Sequence, residues 1–128
     1  MIKKIFLAVV ISGFAFAAGP VYELRTYTAS EGKMDALVAR FRDHTERIFK
    51  KHQMEQVGYW VPQDAAKKNV LVYILKFPSR EAGEQAWKDF QADAEWQKVS
   101  KESEVNGALL AKPPERLWME ATDFSKMK

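Results

Sequence analysis

The pattern of apolar residues predicts four β-strands. Strand-forming runs occupy residues 21–28, 56–61, 70–77 and 116–121, with Pro, Gly or Asn close to most of their ends. Residues 70–77, VLVYILKF, are mostly apolar at even-numbered as well as odd-numbered positions. Because successive side chains of a strand point to opposite faces, both faces of this strand are apolar. Such a strand needs a cover on each face. The sequence therefore predicts two layers around a central strand.

Helical periodicity predicts two helices between the strands. Residues 33–51 repeat apolar side chains at intervals of mostly three and four positions, namely Met34, Leu37, Val38, Phe41, Ile48 and Phe49. A second helix is predicted after Ser79, whose hydroxyl suits a helix N-cap. Asp93 is predicted to cap a further short helical segment. The predicted order along the chain is therefore strand, helix, strand, strand, helix, strand.

This βαββαβ order is typical of a ferredoxin-like α+β fold, in which a four-stranded antiparallel sheet carries both helices on one face. The opposite face then lacks a cover, although residues 70–77 are apolar on that side as well. A second copy of the chain is the simplest cover, since two sheets can stack across a two-fold axis. An obligate interface of this kind buries on the order of 2,000 Å². We therefore expect a homodimer.

The N-terminus predicts an exported protein. Residues 1–17 combine a positively charged start, an apolar run and an A-x-A cleavage motif that ends at Ala17. Cleavage before Ala18 leaves residues 18–128 as a single domain in the periplasm or outside the cell. A membrane anchor is the alternative interpretation, but a bilayer span takes about 20 apolar residues and this run is shorter. We expect no membrane association after cleavage.

Composition and motifs argue against several functional classes. The chain has no cysteine, so it contains neither a disulfide nor a lipid-modified cysteine. The formal net charge of +3 includes Lys3 and Lys4, which leave with the predicted signal segment. The remaining lysine doublets are mixed with acidic residues, so nucleic-acid binding is not expected. The sequence also lacks glycine-rich phosphate loops and the G-x-S-x-G nucleophile motif.

Four segments of the chain resemble the NIPSNAP family. They are VYELRTY at residues 21–27, Glu31-Gly32-Lys33-Met34, Gly58-Tyr59-Trp60 and Asp93-Ala94-Glu95-Trp96. The resemblance implies a dimeric α/β barrel, a superfamily that includes cofactor-free monooxygenases, haem enzymes and many proteins of unassigned activity. Members usually carry proline where this chain has Ala94, and that proline preorganises the first helical turn. The resemblance supports the dimer independently, but it assigns no catalytic residue.

His44 and His52 are the only histidines of the chain. Eight residues separate them, about 12 Å along a helix, which is too far for both to bind one zinc ion without other ligands. No metal site is therefore expected. His44 lies between Phe41 and Ile48, on the apolar side of the predicted helix over residues 33–51. It could be a general base or a haem ligand that faces the sheet, or a core or rim residue without a chemical role.

Glu23 and Arg25 share one face of the first strand, which is central in the predicted sheet. Arg116 and Glu120 on the last strand could reach them across the sheet. Two interpretations stay open. In the first, Arg25 holds an anionic substrate while Glu23 or Glu120 exchanges protons. In the second, the four side chains form a buried ion-pair network that sets the strand register.

Aromatic residues supply the remaining candidates, because they can either line a cavity for a flat organic molecule or fill the core. Trp60 and Trp87 are the best pocket candidates among them.

The sequence thus predicts an exported homodimer that binds a small organic ligand, with cofactor-independent oxygenase or isomerase chemistry as the candidate activity. The predicted ligand-binding residues are His44, Arg25, Glu23, Trp60 and Trp87. No cofactor is expected. The alternative is a non-catalytic protein–protein interaction module of the cell envelope. A cavity lined by His44 or Arg25 would favour ligand binding, whereas a filled core would favour the interaction module.

Overall fold

The computed structural model describes residues 19–128, so the predicted signal segment and the Ala17/Ala18 cleavage site lie outside the described residues. The strands and α-helices are β1 (Val21–Thr28), α1 (Met34–Arg40), α2 (Glu46–Lys51), β2 (Glu55–Trp60), β3 (Val70–Phe77), α3 (Arg80–Ala92), α4 (Ala94–Ser103) and β4 (Glu115–Glu120). Within residues 19–128, no helix combines the length and the apolar character that a membrane span requires.

The four strands form one antiparallel sheet in the order β2-β3-β1-β4. β1 pairs along its whole length with β3, from Val21 opposite Phe77 to Thr28 opposite Val70. β4 pairs with the other edge of β1, and β2 pairs with the free edge of β3. The predicted α+β, ferredoxin-like arrangement is therefore confirmed, with the two long strands in the centre.

The core lies between the helices and one face of the sheet. The β3 side chains on this face are buried, namely Leu71, Tyr73, Leu75 and Phe77. Phe49 of α2 packs against Tyr73 of β3 and against Trp87 and Phe90 of α3. Aromatic pairs in tilted and edge-on arrangements therefore join the helices to the sheet.

A π-helical turn, Phe41–Thr45, separates α1 from α2 within the predicted helix over residues 33–51. Backbone bonds in such a turn span five residues, and the turn inserts one extra residue into the helix. The Thr45 hydroxyl donates to the Arg40 carbonyl at 3.3 Å, and the Thr45 side chain is buried. His44 is exposed beside it. In this helix Thr45 occupies the inward position, and His44 faces away from the core.

Two predicted caps begin α3 and α4. The Ser79 hydroxyl accepts a hydrogen bond from the Ala82 N–H at 3.1 Å. The Asp93 Oδ1 accepts from the N–H groups of Glu95 at 2.8 Å and Trp96 at 3.1 Å. Both caps occupy N–H groups that have no partner inside the helix. The chain can therefore turn sharply between α3 and α4 at Asp93.

We call the side of the sheet opposite the helices the open face. The C-terminal tail, residues 121–128, covers one end of it. Lys76 Nζ donates to the Lys128 carbonyl at 3.0 Å, and Met127 borders a depression of about 280 Å³ that also contains Tyr22. Tyr22 is buried although it points away from the helices. The tail thus shields part of the open face.

The rest of the open face is more accessible. Trp60, which lies opposite Val72, is 50% exposed. Leu117, which lies opposite Leu24, is 57% exposed. Large apolar side chains with this exposure leave an apolar surface that residues 19–128 do not cover.

Candidate functional site

Two charged side chains lie inside the protein on β1. Glu23 is fully buried, and only 9% of the Arg25 side chain is exposed. Both face the helices, because alternate residues of a strand share one face. Burying a charge is unfavourable unless an opposite charge or several hydrogen bonds compensate it. The contacts of these two side chains therefore define the candidate site.

Three side chains surround the Glu23 carboxylate. Trp87 of α3 donates its Nε1–H to Oε1 at 2.5 Å. Arg116 of β4 donates to Oε2 from Nε at 2.7 Å, and its Nη2 lies 2.6 Å from the same oxygen. Arg25 Nη1 lies 3.7 Å from the same oxygen. The predicted link between the first and last strands forms through Arg116, whereas Glu120 is exposed.

Hydroxyl and aromatic groups surround the Arg25 guanidinium. Nη2 donates to the Tyr27 hydroxyl at 3.2 Å, and the Tyr73 hydroxyl donates to the same oxygen at 3.1 Å. The guanidinium carbon lies 4.3 Å from the centroid of the Trp87 ring, a cation–π contact. Burial by itself lowers the pKa of Arg25, but Tyr27, Tyr73 and Glu23 outweigh it, so the pKa lies above its ordinary value. The side chain therefore remains charged.

Arg25 keeps at least one donor without a partner. Its Nε is buried and finds no hydrogen-bond partner within residues 19–128. Buried polar atoms without a partner are uncommon, because each forfeits the hydrogen bonds that water supplied. An unsatisfied donor beside a cavity is consistent with a place for a bound acceptor.

A cleft of about 700 Å³ opens beside these charges, between α3 and β4. We call it the α3–β4 cleft. Its lining includes Arg25, Glu84, Trp87, Lys88, Gln91 and Arg116. Three of these side chains are cationic, and Glu84 is already paired with Arg80 at 3.1 Å. The cleft therefore carries excess positive charge next to a buried ion pair, an arrangement that can hold an anion.

Local sequence on α3 builds one wall of this cleft. Residues three and four apart fall on one side of a helix, which aligns Glu84, Lys88 and Gln91. Gly83 allows α3 to approach the sheet closely, because a Cβ at this position would lie 2.7 Å from the Trp118 ring. At this close distance Trp87 of α3 reaches the buried Glu23 carboxylate of β1. A larger residue at position 83 would force these groups to shift.

His44 lies outside this site. It is exposed and borders a separate groove of about 340 Å³ between α1 and α4, together with Arg40 and Ser103. Arg40 donates to the Ser103 hydroxyl at 3.3 Å, and burial lowers the pKa of its guanidinium. The structure therefore does not bring His44 to Arg25, and His44 does not face the sheet.

Trp60 also lies away from the cleft. Its ring extends along the open face over Gly58, where a Cβ would come within 2.8 Å of the ring. Trp87 lies on the opposite side of the sheet, among the helices. Of the predicted ligand-binding residues, the structure brings together Glu23, Arg25 and Trp87. Trp60 instead contributes to the open face.

Lys88 and Gln91 were not predicted, and Arg116 was predicted only as an ion-pair partner. Their sequence signal is weak, because exposed polar residues on a helix are usually solvated. The spacing of Lys88 and Gln91 is visible in the sequence, but the side of α3 that meets β4 is not. Within residues 19–128, no three His, Asp or Glu side chains gather as a metal ion would require.

A second buried carboxylate, Asp93, is occupied by structural contacts. Besides capping α4, its Oδ2 lies 2.6 Å from Lys51 Nζ and 2.7 Å from His52 Nε2. Hydrogen bonds from Lys51 and His52, followed by those from the α4 backbone, hold the pKa of Asp93 well below its usual range. This cluster ties the end of α2 to the junction between α3 and α4.

Structural comparison supports the same architecture. The chain is similar to a NIPSNAP family protein of unknown function from Agrobacterium tumefaciens, with 25% identity, a TM-score of 0.73, and coverage of 86% of this chain and 95% of that one. A second A. tumefaciens NIPSNAP family protein has 21% identity, a TM-score of 0.74, and coverage of 85% and 99%. A putative antibiotic biosynthesis monooxygenase from Nitrosomonas europaea has 10% identity, a TM-score of 0.56, and coverage of 83% and 93%. This last likeness shows a shared fold.

Sequence comparison then identifies the family. No curated protein matches the chain. The family model described as NIPSNAP matches residues 22–126, which include every strand and helix of the fold except the first residue of β1. The chain therefore belongs to the NIPSNAP family.

Proposed function

We propose that this chain is the subunit of an exported homodimer that binds a small organic molecule in the α3–β4 cleft. The proposal rests on the environment of Arg25. This nearly buried cation lines the cleft beside the fully buried Glu23, and its Nε has no hydrogen-bond partner within residues 19–128. Buried charges that border a cavity are more typical of binding sites than of ordinary cores. A cleft of about 700 Å³ has room for a small organic ligand.

Cofactor-independent oxygenase or isomerase chemistry is the activity we propose for this cleft. Arg25, Arg116 and Lys88 would stabilise negative charge that develops on a bound substrate. Glu23 is unsuited to be the proton acceptor, because Trp87 and Arg116 occupy its oxygens and it has no contact with solvent. The putative monooxygenase from N. europaea has the same fold, which makes oxygenase chemistry a reasonable first assay.

Thermal denaturation of residues 18–128 tests the binding proposal. A ligand that binds only the native state at 100 times its Kd adds about 2.7 kcal/mol to the unfolding free energy, which raises the Tm by several degrees. We would screen quinones, haem and aromatic acids, and repeat each shift with Arg25→Gln. A shift that Arg25→Gln removes supports the cleft. No shift with any compound would contradict binding and favour the interaction module.

The open face supports the proposed homodimer. The tail covers the end near Tyr22, whereas Trp60 and Leu117 are about half exposed at other positions on this face. A second copy stacked across a two-fold axis would bury these side chains in both subunits. Removing this apolar area from water stabilises an interface by roughly 25 cal/mol per Å², before the costs of association.

Sedimentation at micromolar concentration tests the homodimer. The unmodified domain should sediment as a dimer, and Leu117→Glu should shift it to the monomer, because it introduces a charge on the open face. Val105→Glu is the matched control, since Val105 is 74% exposed and lies in the loop after α4. This control should remain dimeric. A well-folded monomer of the unmodified domain would contradict the proposal.

Export is tested by expression of the whole chain in a bacterium. We expect the product in the periplasm or medium, and N-terminal sequencing should begin at Ala18. An intact N-terminus in the cytoplasmic fraction would contradict export.

A further inference from the structure

The charges of the α3–β4 cleft indicate the class of its ligand. The buried carboxylate of Glu23 contacts both Arg25 and Arg116 and offsets one of their two positive charges. Arg116 and Lys88 also line the cleft, and the acidic side chain of Glu84 is paired with Arg80. The cleft therefore carries two positive charges in excess of its acidic groups. A neutral ligand would leave this excess to solvent alone, whereas an anion would pair with it.

Two other grooves of the described chain lack this excess. The groove beside β2 combines Glu46 and Glu55 with one lysine, Lys50. The groove between α1 and α4 combines Asp43 and Glu102 with Arg40 and His44. Neither concentrates positive charge as the α3–β4 cleft does. The charges of the α3–β4 cleft therefore favour an anion more than those of these two grooves do.

The geometry of Arg116 favours a planar anion. Its Nε donates to Glu23 Oε2, and its Nη2 lies 2.6 Å from the same oxygen, so this edge of the guanidinium is occupied. A guanidinium has five N–H donors in one plane, so donors remain at Nη1 and at the second N–H of Nη2, and 43% of the side chain is exposed. The remaining donors match the spacing of a second carboxylate. Glu23 thus acts as a positioning residue that holds Arg116 at the edge of the cleft.

We propose that the ligand of the α3–β4 cleft is an organic carboxylate, and that Arg116 and Lys88 bind its carboxylate group. This inference rests on the proposed function, because it names the ligand class of the same cleft. The volume of about 700 Å³ is larger than a carboxylate needs, so an organic body attached to it would occupy the remainder. Trp87 supplies apolar surface for that body.

The test is calorimetric titration of residues 18–128 with benzoate, and with benzamide as its uncharged counterpart. Benzoate should bind, and benzamide should bind at least about tenfold more weakly, because it cannot form charge-assisted hydrogen bonds. Arg116→Gln should weaken benzoate binding by about tenfold or more. Lys88→Gln should weaken benzoate binding severalfold. Because Lys88 lies on the exposed surface of α3, this variant should fold even if Arg116→Gln does not, and it then provides the test.

Lys98→Gln is the matched control. Lys98 is an exposed lysine of α4 that pairs with Glu102, and its loss should leave benzoate binding unchanged. Equal binding of benzoate and benzamide, or unchanged binding in Lys88→Gln and Arg116→Gln, would overturn the inference. Displacement of benzoate by equimolar inorganic phosphate would overturn it too, since the site would then select charge alone.

The two proposals can fail separately. If neutral compounds stabilise the domain in an Arg25-dependent way and no carboxylate does, the ligand class is wrong and the binding cleft stands. If no compound of either kind stabilises the domain, both proposals fail.

Discussion

Glu23 and Asp93 are both buried carboxylates that contact two cationic or imidazole side chains, yet they have different surroundings. Glu23 contacts Trp87 and Arg116, whose own side chains continue into a cleft of about 700 Å³. Asp93 receives two backbone N–H groups of α4 and also contacts Lys51 and His52. The contacts of Asp93 cap α4 and join the end of α2 to the turn between α3 and α4.

The comparison shows that a buried carboxylate alone does not identify a binding site. Asp93 has the strongly lowered pKa, but its hydrogen bonds are explained by the fold. Glu23 is distinguished by its neighbours, because Arg25 keeps an unpartnered Nε and Arg116 is partly exposed at the cleft. Between these two carboxylates, the difference is that side chains around Glu23 keep hydrogen-bonding capacity next to open space.

Glu23→Ala should cause the largest loss of stability. It removes the counter-charge of Arg25 and Arg116 and the acceptor of the Trp87 N–H, and breaking a buried pair in this way costs about 3–5 kcal/mol. Urea denaturation at pH 7 measures the loss. Glu23→Gln is the matched variant, and it should lose less because one acceptor oxygen remains. A loss below about 1 kcal/mol, typical of a surface ion pair, would contradict the description of a buried cluster.

Asp93→Ala should have a smaller effect. Loss of a helix N-cap costs about 1–2 kcal/mol, and the contacts with Lys51 and His52 disappear as well. Asp93→Asn keeps an acceptor for the α4 N–H groups, because asparagine is also a good N-cap residue. The difference between the two variants in urea therefore measures the cap separately from the charge. Equal losses would show that the cap contributes nothing.

The charge of Asp93 should give a pH-dependent contribution to stability. Its folded-state pKa lies below the unfolded value of about 3.9, so the contribution is complete above that pH and is lost as the pH falls through the folded pKa. The difference in unfolding free energy between the unmodified domain and Asp93→Asn should therefore be largest near pH 6 and shrink from about pH 4 downwards. A constant difference from pH 6 to pH 3 would refute this. Glu102→Gln, an exposed change on α4, is the control.

His44→Ala should have the smallest effect. Its side chain is exposed and borders a groove separate from the cluster around Glu23. Surface substitutions of this kind usually change stability by less than about 0.5 kcal/mol. Benzoate affinity should also stay the same. A loss of binding in this variant would mean that the ligand site extends to α1 and α4, and that Glu23 is not its centre.

The sequence was most informative about the order of the elements and the bounds of the strands. Four strands and the starts of α3 and α4 were predicted within one or two residues, because caps and alternation are local properties. The π turn was not predicted, since the extra residue leaves the spacing of apolar positions almost unchanged. Within that turn Thr45 is buried and His44 is exposed, so a candidate chosen from its position between Phe41 and Ile48 lies away from the core.

From the sequence, Arg116 and Glu120 were expected to lie across from Glu23 and Arg25, because residues of one parity share a strand face. The register, which sets Arg116 opposite Arg25 and Trp118 opposite Glu23, came from the structure. Only the tertiary structure decided that these charges border a cleft while Trp60 lies on the opposite side of the sheet. The volume of the cleft depends on how closely α3 approaches β4, two elements far apart in the chain. Local pattern determines which face a residue takes, but the space left between distant elements emerges only when the whole core is packed.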